Sequence, residues 1–294
     1  MGTHSELGEF LRIRRASLQP EDVGVLNYGI RRVPGLRREE LAMLAGVSTT
    51  YYTRLEQGLS TNASEAVIDA IARALNLSKD ERVHLFNLAR PGKTKRRTPA
   101  KPDKVRPGTL RLIQSMPGTP AVVLGRRSEV LAWNVLGHRL VAGHLDFAAP
   151  EAPSTRPNMT RLLFLDDHTR ELYTRWPDEA RRAVASLRLV AGKSADDQEL
   201  ASLVGELTLK SPDFAKLWAR HPVVDCLLGV KYLHHPEVGY LELNFEVLTP
   251  PDESGHRVLL YAADPESAAE GALQLLQVSG DTRKVPHGLA EIGS

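Results

Sequence analysis

A chain of 294 residues, a quarter of them charged and 42% apolar, has room for about two globular domains. No apolar run approaches the roughly 18 residues that a membrane span needs, and the amino terminus lacks a charged-then-apolar leader pattern, so a cytoplasmic protein is expected. The net charge of +2 hides a division: residues 1–106 hold 19 Lys and Arg against 12 Asp and Glu, a balance of +7, while residues 107–294 hold 19 against 24, a balance of −5. A basic front joined to an acidic back directs any polyanion to the front. The single cysteine, Cys226 in VVDCLLGV, excludes an internal disulfide and reads as a buried, inert thiol.

In chain order, Leu7, Phe10, Leu11 and Leu18 share a helical face and predict a first helix from Ser5 to Leu18. Residues 19–36, with Pro20, Gly24, Gly29, Pro34 and Gly35, read as a loop. A second helix is expected from Arg37 to Ala45, stopped by Gly46, and a third from Thr49 to Gln57, capped by Ser48 and stopped by Gly58. Ser64 to Leu75 makes a fourth, and Ser78 with Glu81 three residues on opens a fifth that runs to Ala89. Residues 91–107 follow in a stretch whose prolines and cations suit an extended, basic linker.

Beyond the linker the periods mix. AVVLG (121–125) and EVLAW (129–133) read as strands, a helix follows from Asn134, and Leu200 to Leu207 and Phe214 to Trp218 keep helical spacing, the latter after Ser211 and Pro212. YLELNFEV (240–247) alternates strictly, and with 226–233 and 257–263 it predicts an antiparallel sheet wet on one side and covered by helices on the other. The expected architecture is an all-α helix-turn-helix domain (1–90), the linker (91–107), an α+β domain with an antiparallel sheet (108–280) and a tail (281–294).

Helix, tight turn at Gly46, helix, with the small Ala42 four residues before the glycine, is helix-turn-helix spacing. Ala42 lets the helices approach, and Tyr52 and Leu55 face inward. Thr49, Thr50, Tyr51, Thr53 and Arg54 project outward, where hydroxyls, methyls and a guanidinium suit base edges and phosphates. An ordinary solvated face shows polar residues too, but Tyr51 is large for one. Arg31, Arg32, Arg37 and Arg38 crowd the start of the second helix, where the macrodipole is already positive, so an anion outside the chain is expected opposite them.

The stretch RRVPGLRREELAMLAGVSTTYYTRLEQG (31–58) resembles the lambda-repressor-like domains of the XRE family. With VLAWN (130–134), NMTRLLFLDDHTRELYTRW (158–176), Leu187 and Arg188, SPDFAKLWARH (211–221) and HHPEVGYLEL (234–243), nearly the whole chain is similar to the MmyB-like transcription regulators of actinomycetes. The resemblance implies that Thr49 and Thr50 open the recognition helix and that Tyr51 and Thr53 face the groove. Arg54 then reaches bases or backbone, Arg38 clamps phosphate with Arg37 beside it, and Gln57 closes the far end. Arg31 and Arg32, in a loop longer than simple repressors have, are assigned to the flanking backbone. It also implies a PAS-like back domain that accepts a small apolar ligand resembling a fatty acid, with no other cofactor.

From the residues alone, Trp133, Trp176, Phe214, Trp218, Tyr232 and Phe245 either line such a pocket or form plain core. Asn134 and Arg188 suit polar anchoring of a head group, although a salt bridge would equally satisfy Arg188. Asp166, Asp167 and His168 in DDHTRE read as a polar turn rather than an acid/base site, and His234, His235 and Glu237 lack the spacing of a helical metal pair. No nucleophile elbow or phosphate loop occurs. The expectation is a non-enzymatic, nucleoid-associated homodimer on a near-palindromic double-stranded DNA operator, with recognition helices about 34 Å apart. Two rivals stand: a back domain that serves protein interaction or dimerisation without a small ligand, and an enzyme with a DNA-binding appendage.

Overall fold

The computed structural model describes residues 5–25, 35–60, 63–90, 103–193, 196–223, 227–252 and 254–281. Arg31, Arg32, Cys226 and most of the linker lie outside these. The chain divides into two compact units, Met1–Thr98 with Arg181–Asp225, and Pro99–Ala180 with Cys226–Ser294. The fold class is the expected one: a helical front region followed by an α+β domain built on a five-stranded antiparallel sheet. The units do not follow the chain, however, because residues 181–225, which the sequence reading places wholly in the back domain, cluster with the front helices.

In the first unit, α1 (Glu6–Ser17), α2 (Arg38–Leu44), α3 (Thr49–Glu56), α4 (Glu65–Ala74) and α5 (Lys79–Ala89) agree with the expected helices to within about two residues. The local reasons are the expected ones. Ser48, Ser64 and Ser78 each accept a hydrogen bond from the backbone N–H three residues on, and Ser78 and Glu81 close a capping box. The stretch 19–36 contains a 3-10 turn, Pro20–Val23, ended by Gly24. Phe10, Leu11, Leu36, Leu41, Tyr52, Leu55, Ile68, Ile71 and Leu85 form a fully buried core. Gly8 lets α1 lie against the end of α3: a Cβ there would stand 2.1 Å from the carbonyl oxygen of Glu56.

The same unit holds α10 (Trp176–Lys193) from Arg181 onward, α11 (Gln198–Lys210) and α12 (Pro212–Ala219). Ser211 caps α12 as expected, accepting from the Phe214 N–H, with Pro212 in the first turn.

The second unit begins with α6 (Pro107–Gln114). Its sheet runs β2 (Val130–Trp133), β1 (Ala121–Leu124), β5 (Arg257–Ala262), β4 (Gly239–Leu248), β3 (Leu228–His235), every neighbour antiparallel. α7 (Val135–Ala142), α8 (Met159–Leu165), α9 (Asp167–Leu172) and α13 (Ala268–Asp281) complete the unit, and α7 and α13 pack on the sheet and on each other. Strand β4 has the expected wet face: Leu241, Leu243 and Phe245 are buried while Tyr240, Glu242 and Glu246 are exposed. Strands β1 and β2 add no wet face: their eight residues are all buried, because AVVL and VLAW have no polar face to present and α6 and α7 pack on them. DDHTRE is helix rather than turn: Asp166 caps α9, its carboxylate accepting from Thr169 N at 2.8 Å and Thr169 Oγ1 at 2.6 Å. Among the described residues, no helix is long and apolar enough to cross a membrane.

Candidate nucleic-acid interface and cavity

The α2–turn–α3 element is held by backbone bonds that close the turn, Gly46 N to Met43 O at 3.1 Å and Val47 N to Ala42 O at 2.9 Å. Gly46 sits at φ +65° with open space where a Cβ would go, so glycine is required there for its conformation and not for room. Ala42, Tyr52 and Leu55 are buried, fixing the angle between the helices. Thr49, Thr50, Arg54 and Gln57 are exposed, and Tyr51 and Thr53 are half-buried on the same helix. The size of Tyr51 has a structural contribution that the sequence reading missed, since its ring packs partly against the core.

Arg38, at the start of α2, meets an anion inside the chain, Glu56, where the sequence led to one outside it. Glu56, almost wholly buried at the end of α3, accepts from Arg15 Nε at 2.9 Å and Arg15 Nη2 at 2.9 Å, and from Arg38 Nε at 2.9 Å. Arg15 also donates to the Leu36 carbonyl at 2.7 Å, so one carboxylate ties α1, α2 and α3 together. Burial opposes ionisation of Glu56, but the hydrogen bonds from Arg15 and Arg38 outweigh it and hold its carboxyl below the usual range. Arg37 donates its backbone N–H to Glu40 at 2.6 Å, and Glu39 and Glu40 supply the negative charge the first turn favours. The Arg38 side chain is nonetheless 45% exposed, a guanidinium held by one edge beside the α3 face.

The six candidate ligand residues divide between the units, with Trp133, Asn134 and Phe245 in the second and Arg188, Phe214 and Trp218 in the first. Trp133 lines a cavity of about 500 Å³ in the second unit, walled by Val105, Leu110, Leu131 and Phe147, with Lys104 and Arg156 set among Asp103 and Glu151. The Trp133 indole donates to the Phe147 carbonyl at 2.8 Å. Asn134 is committed to structure instead of a head group. Its Oδ1 caps α7 through Gly137 N at 2.7 Å and accepts from Ala121 N, and its Nδ2 donates to the carbonyls of Ile113, Met116 and Thr119. Phe245 lies on the buried face of β4, with the Lys231 ammonium 4.4 Å above its ring and Lys231 paired to Glu179. Beside them burial pushes the hydroxyls of Tyr173 and Tyr261 up, out of reach of ionisation at neutral pH.

Arg188, Phe214 and Trp218 belong to the first unit. Phe214 and Trp218 stack at 5.7 Å, and the buried Arg188 lies 3.6 Å over the Trp218 ring while donating to the Trp218 carbonyl at 2.6 Å. The partner expected for Arg188 is thus present within the chain. Trp176 packs edge-on to Phe164 under the Arg170 guanidinium, and Tyr232 lies under Arg175. Among the described residues, no group of three or more His, Cys, Asp and Glu is arranged to hold a metal ion.

Comparison with known families matches residues 6–85 to a helix-turn-helix domain and residues 105–276 to the ligand-binding domain of MmyB-like transcription regulators. No curated protein matches the chain.

Proposed function

The chain belongs to the MmyB-like transcription regulators and is a DNA-binding regulator; on that premise we propose that it reads a specific operator through α3 and responds to a small ligand in its sheet-bearing unit. The observation that carries the first half is the exposed row Thr49, Thr50, Arg54 and Gln57 on a helix whose opposite side is fully buried. Thr50, Tyr51 and Thr53 read base edges, Arg54 and Gln57 reach bases or backbone, and Arg37 and Arg38 contact phosphate. Arg38 is oriented for this by Glu56, which leaves the rest of its guanidinium to point outward. The working form is a cytoplasmic homodimer, with two α3 helices one turn of DNA apart on a near-palindromic site.

The ligand is received in the cavity beside Trp133. Val105, Leu110, Leu131 and Phe147 suit an apolar, acyl-like body, and Lys104 and Arg156 suit an acidic end. The protein works as a switch and not as an enzyme: ligand shifts DNA affinity by binding one arrangement better than another. Solvent extraction of the purified protein followed by mass spectrometry should return a stoichiometric acyl-like acid, lost on Trp133→Ala. Repeated absence favours a back domain that serves protein contacts alone. For the front, Arg37→Ala with Arg38→Ala should weaken binding to all duplexes and flatten the slope of log K against log salt by about one per lost phosphate contact. An unchanged slope removes both residues from the interface.

A further inference from the structure

His84 on α5 is fully buried, edge-on to Phe10 at 5.2 Å, and neither of its ring nitrogens has a hydrogen-bond partner among the described residues. A neutral imidazole carries one N–H and one lone pair, and leaving both dry is costly. Two more orphaned donors lie in the same cluster, Arg14 Nε and Arg188 Nε. Helix α10 closes on them tightly: a Cβ on Gly192 would stand 2.6 Å from His84 Cε1 and 2.7 Å from Nδ1, so no water fits on that side.

Around this point the charged groups come from every packed element. α1 supplies Glu6, Glu9, Arg12 and Arg14; α5 supplies Glu81 and His84; α10 supplies Arg188, and His221 follows just after α12. Arg14 Nη2 donates to the His221 carbonyl at 2.6 Å and pairs with Glu81 at 3.1 Å. Arg188 Nη1 is 3.4 Å from Glu6, and His221 Nε2 is 3.4 Å from Glu9. Apolar support comes from Leu189 and Val223, which join the front core. A buried polar joint rigidifies when each of its groups is paired, as around Glu56. This one buries two guanidinium groups and two imidazoles with several hydrogens unmatched, groups that recover water when the surfaces part. The segment that makes it, residues 181–223, falls inside the ligand-binding-domain match, although it packs on the DNA-binding helices.

We propose that α10–α12 form a detachable clamp on α1 and α5, closed in this structure and built to open without unfolding the helix-turn-helix, through which the regulatory part of the chain acts on the DNA-binding part. The clamp leaves the outer row of α3 exposed, so it acts on the support of the recognition helix and not by covering it. The proposal holds whatever ligand the sheet-bearing unit takes, and its test requires neither ligand nor DNA.

Amide hydrogen exchange on the full chain at pH 7.5 tests it. Amides of 181–193 and 212–219 should exchange at least about tenfold faster than those of α4. His84→Leu, which removes the orphaned nitrogens, should slow exchange in those segments about tenfold, and Gly192→Ala, whose Cβ meets the His84 ring, should speed it about tenfold, both with α4 unchanged. Exchange of 181–223 in step with α4 in the wild type and in His84→Leu would overturn the proposal, since the clamp would then be part of one cooperative core.

Discussion

Glu56→Gln lowers the stability of the helix-turn-helix unit by about 3–5 kcal/mol, the usual cost of removing one partner from a buried ion pair. The Arg15 and Glu56 side chains are only 10% and 2% exposed, so Arg15 keeps a dehydrated charge when the carboxylate is neutralised. Urea unfolding should show the midpoint falling with m unchanged. A loss under about 1 kcal/mol would mean that the pair behaves as a surface salt bridge and does not organise the three helices. The cost should appear mainly in the unit that holds α1 to α3, with the sheet-bearing unit melting as before.

Acidification below neutrality destabilises the same unit through His84 and His221. Burial first, and then the Arg188 charge, push their pKa values down to about 4 and about 3. Both imidazoles are essentially inaccessible, so solvent screening does not blunt the effect. The sign follows from the lowered folded values. Above pH 6.5 neither state binds the protons and stability is complete; as pH falls from there, the unfolded chain takes up two protons that the folded one refuses. The loss is on the order of 5 kcal/mol by pH 4.5. Glu56 acts in a lower window, because its depressed folded value withdraws stability only as pH falls through the carboxylate range, below about 4.3. Unfolding free energies of wild type and His84→Leu between pH 7 and 4.5 separate the terms: the variant should lose stability with a slope smaller by about one proton. Parallel curves would show that His84 is protonated in the folded state.

What was legible in the residues was local. Ser48, Ser64 and Ser78 mark helix starts by chemistry that acts over three positions, Gly46 marks a turn by its own conformation, and the alternation of 240–247 reports a face. Asp166 was equally legible as a cap, with Thr169 three residues on, but the run of polar residues around it reads as turn when taken by composition. The misses are long-range. Nothing near Glu56 announces that Arg15, 41 positions earlier, will share its burial, so the cations at the start of α2 looked unopposed from within. The same limit divided the ligand residues. Arg188, Phe214 and Trp218 carry the helical spacing and aromatic content of a pocket wall, yet that spacing cannot say which unit the helix faces: Arg188 pairs with Glu6 of α1 and lies over Trp218, and Trp218 stacks on Phe214 in the same unit. Asn134 looked like a ligand anchor because a buried amide needs partners, and here five backbone groups meet that need.

Selection of bound fragments from random duplexes decides whether the face of α3 that bears Thr50 and Tyr51 reads DNA sequence. The wild type should enrich a near-palindromic site with half-sites about 34 Å apart, and Thr50→Ala and Tyr51→Ala should each weaken that site by about 1–3 kcal/mol while leaving unselected duplex nearly unaffected. Enrichment of the same site with undiminished affinity by both variants would mean that this face of α3 does not read the bases.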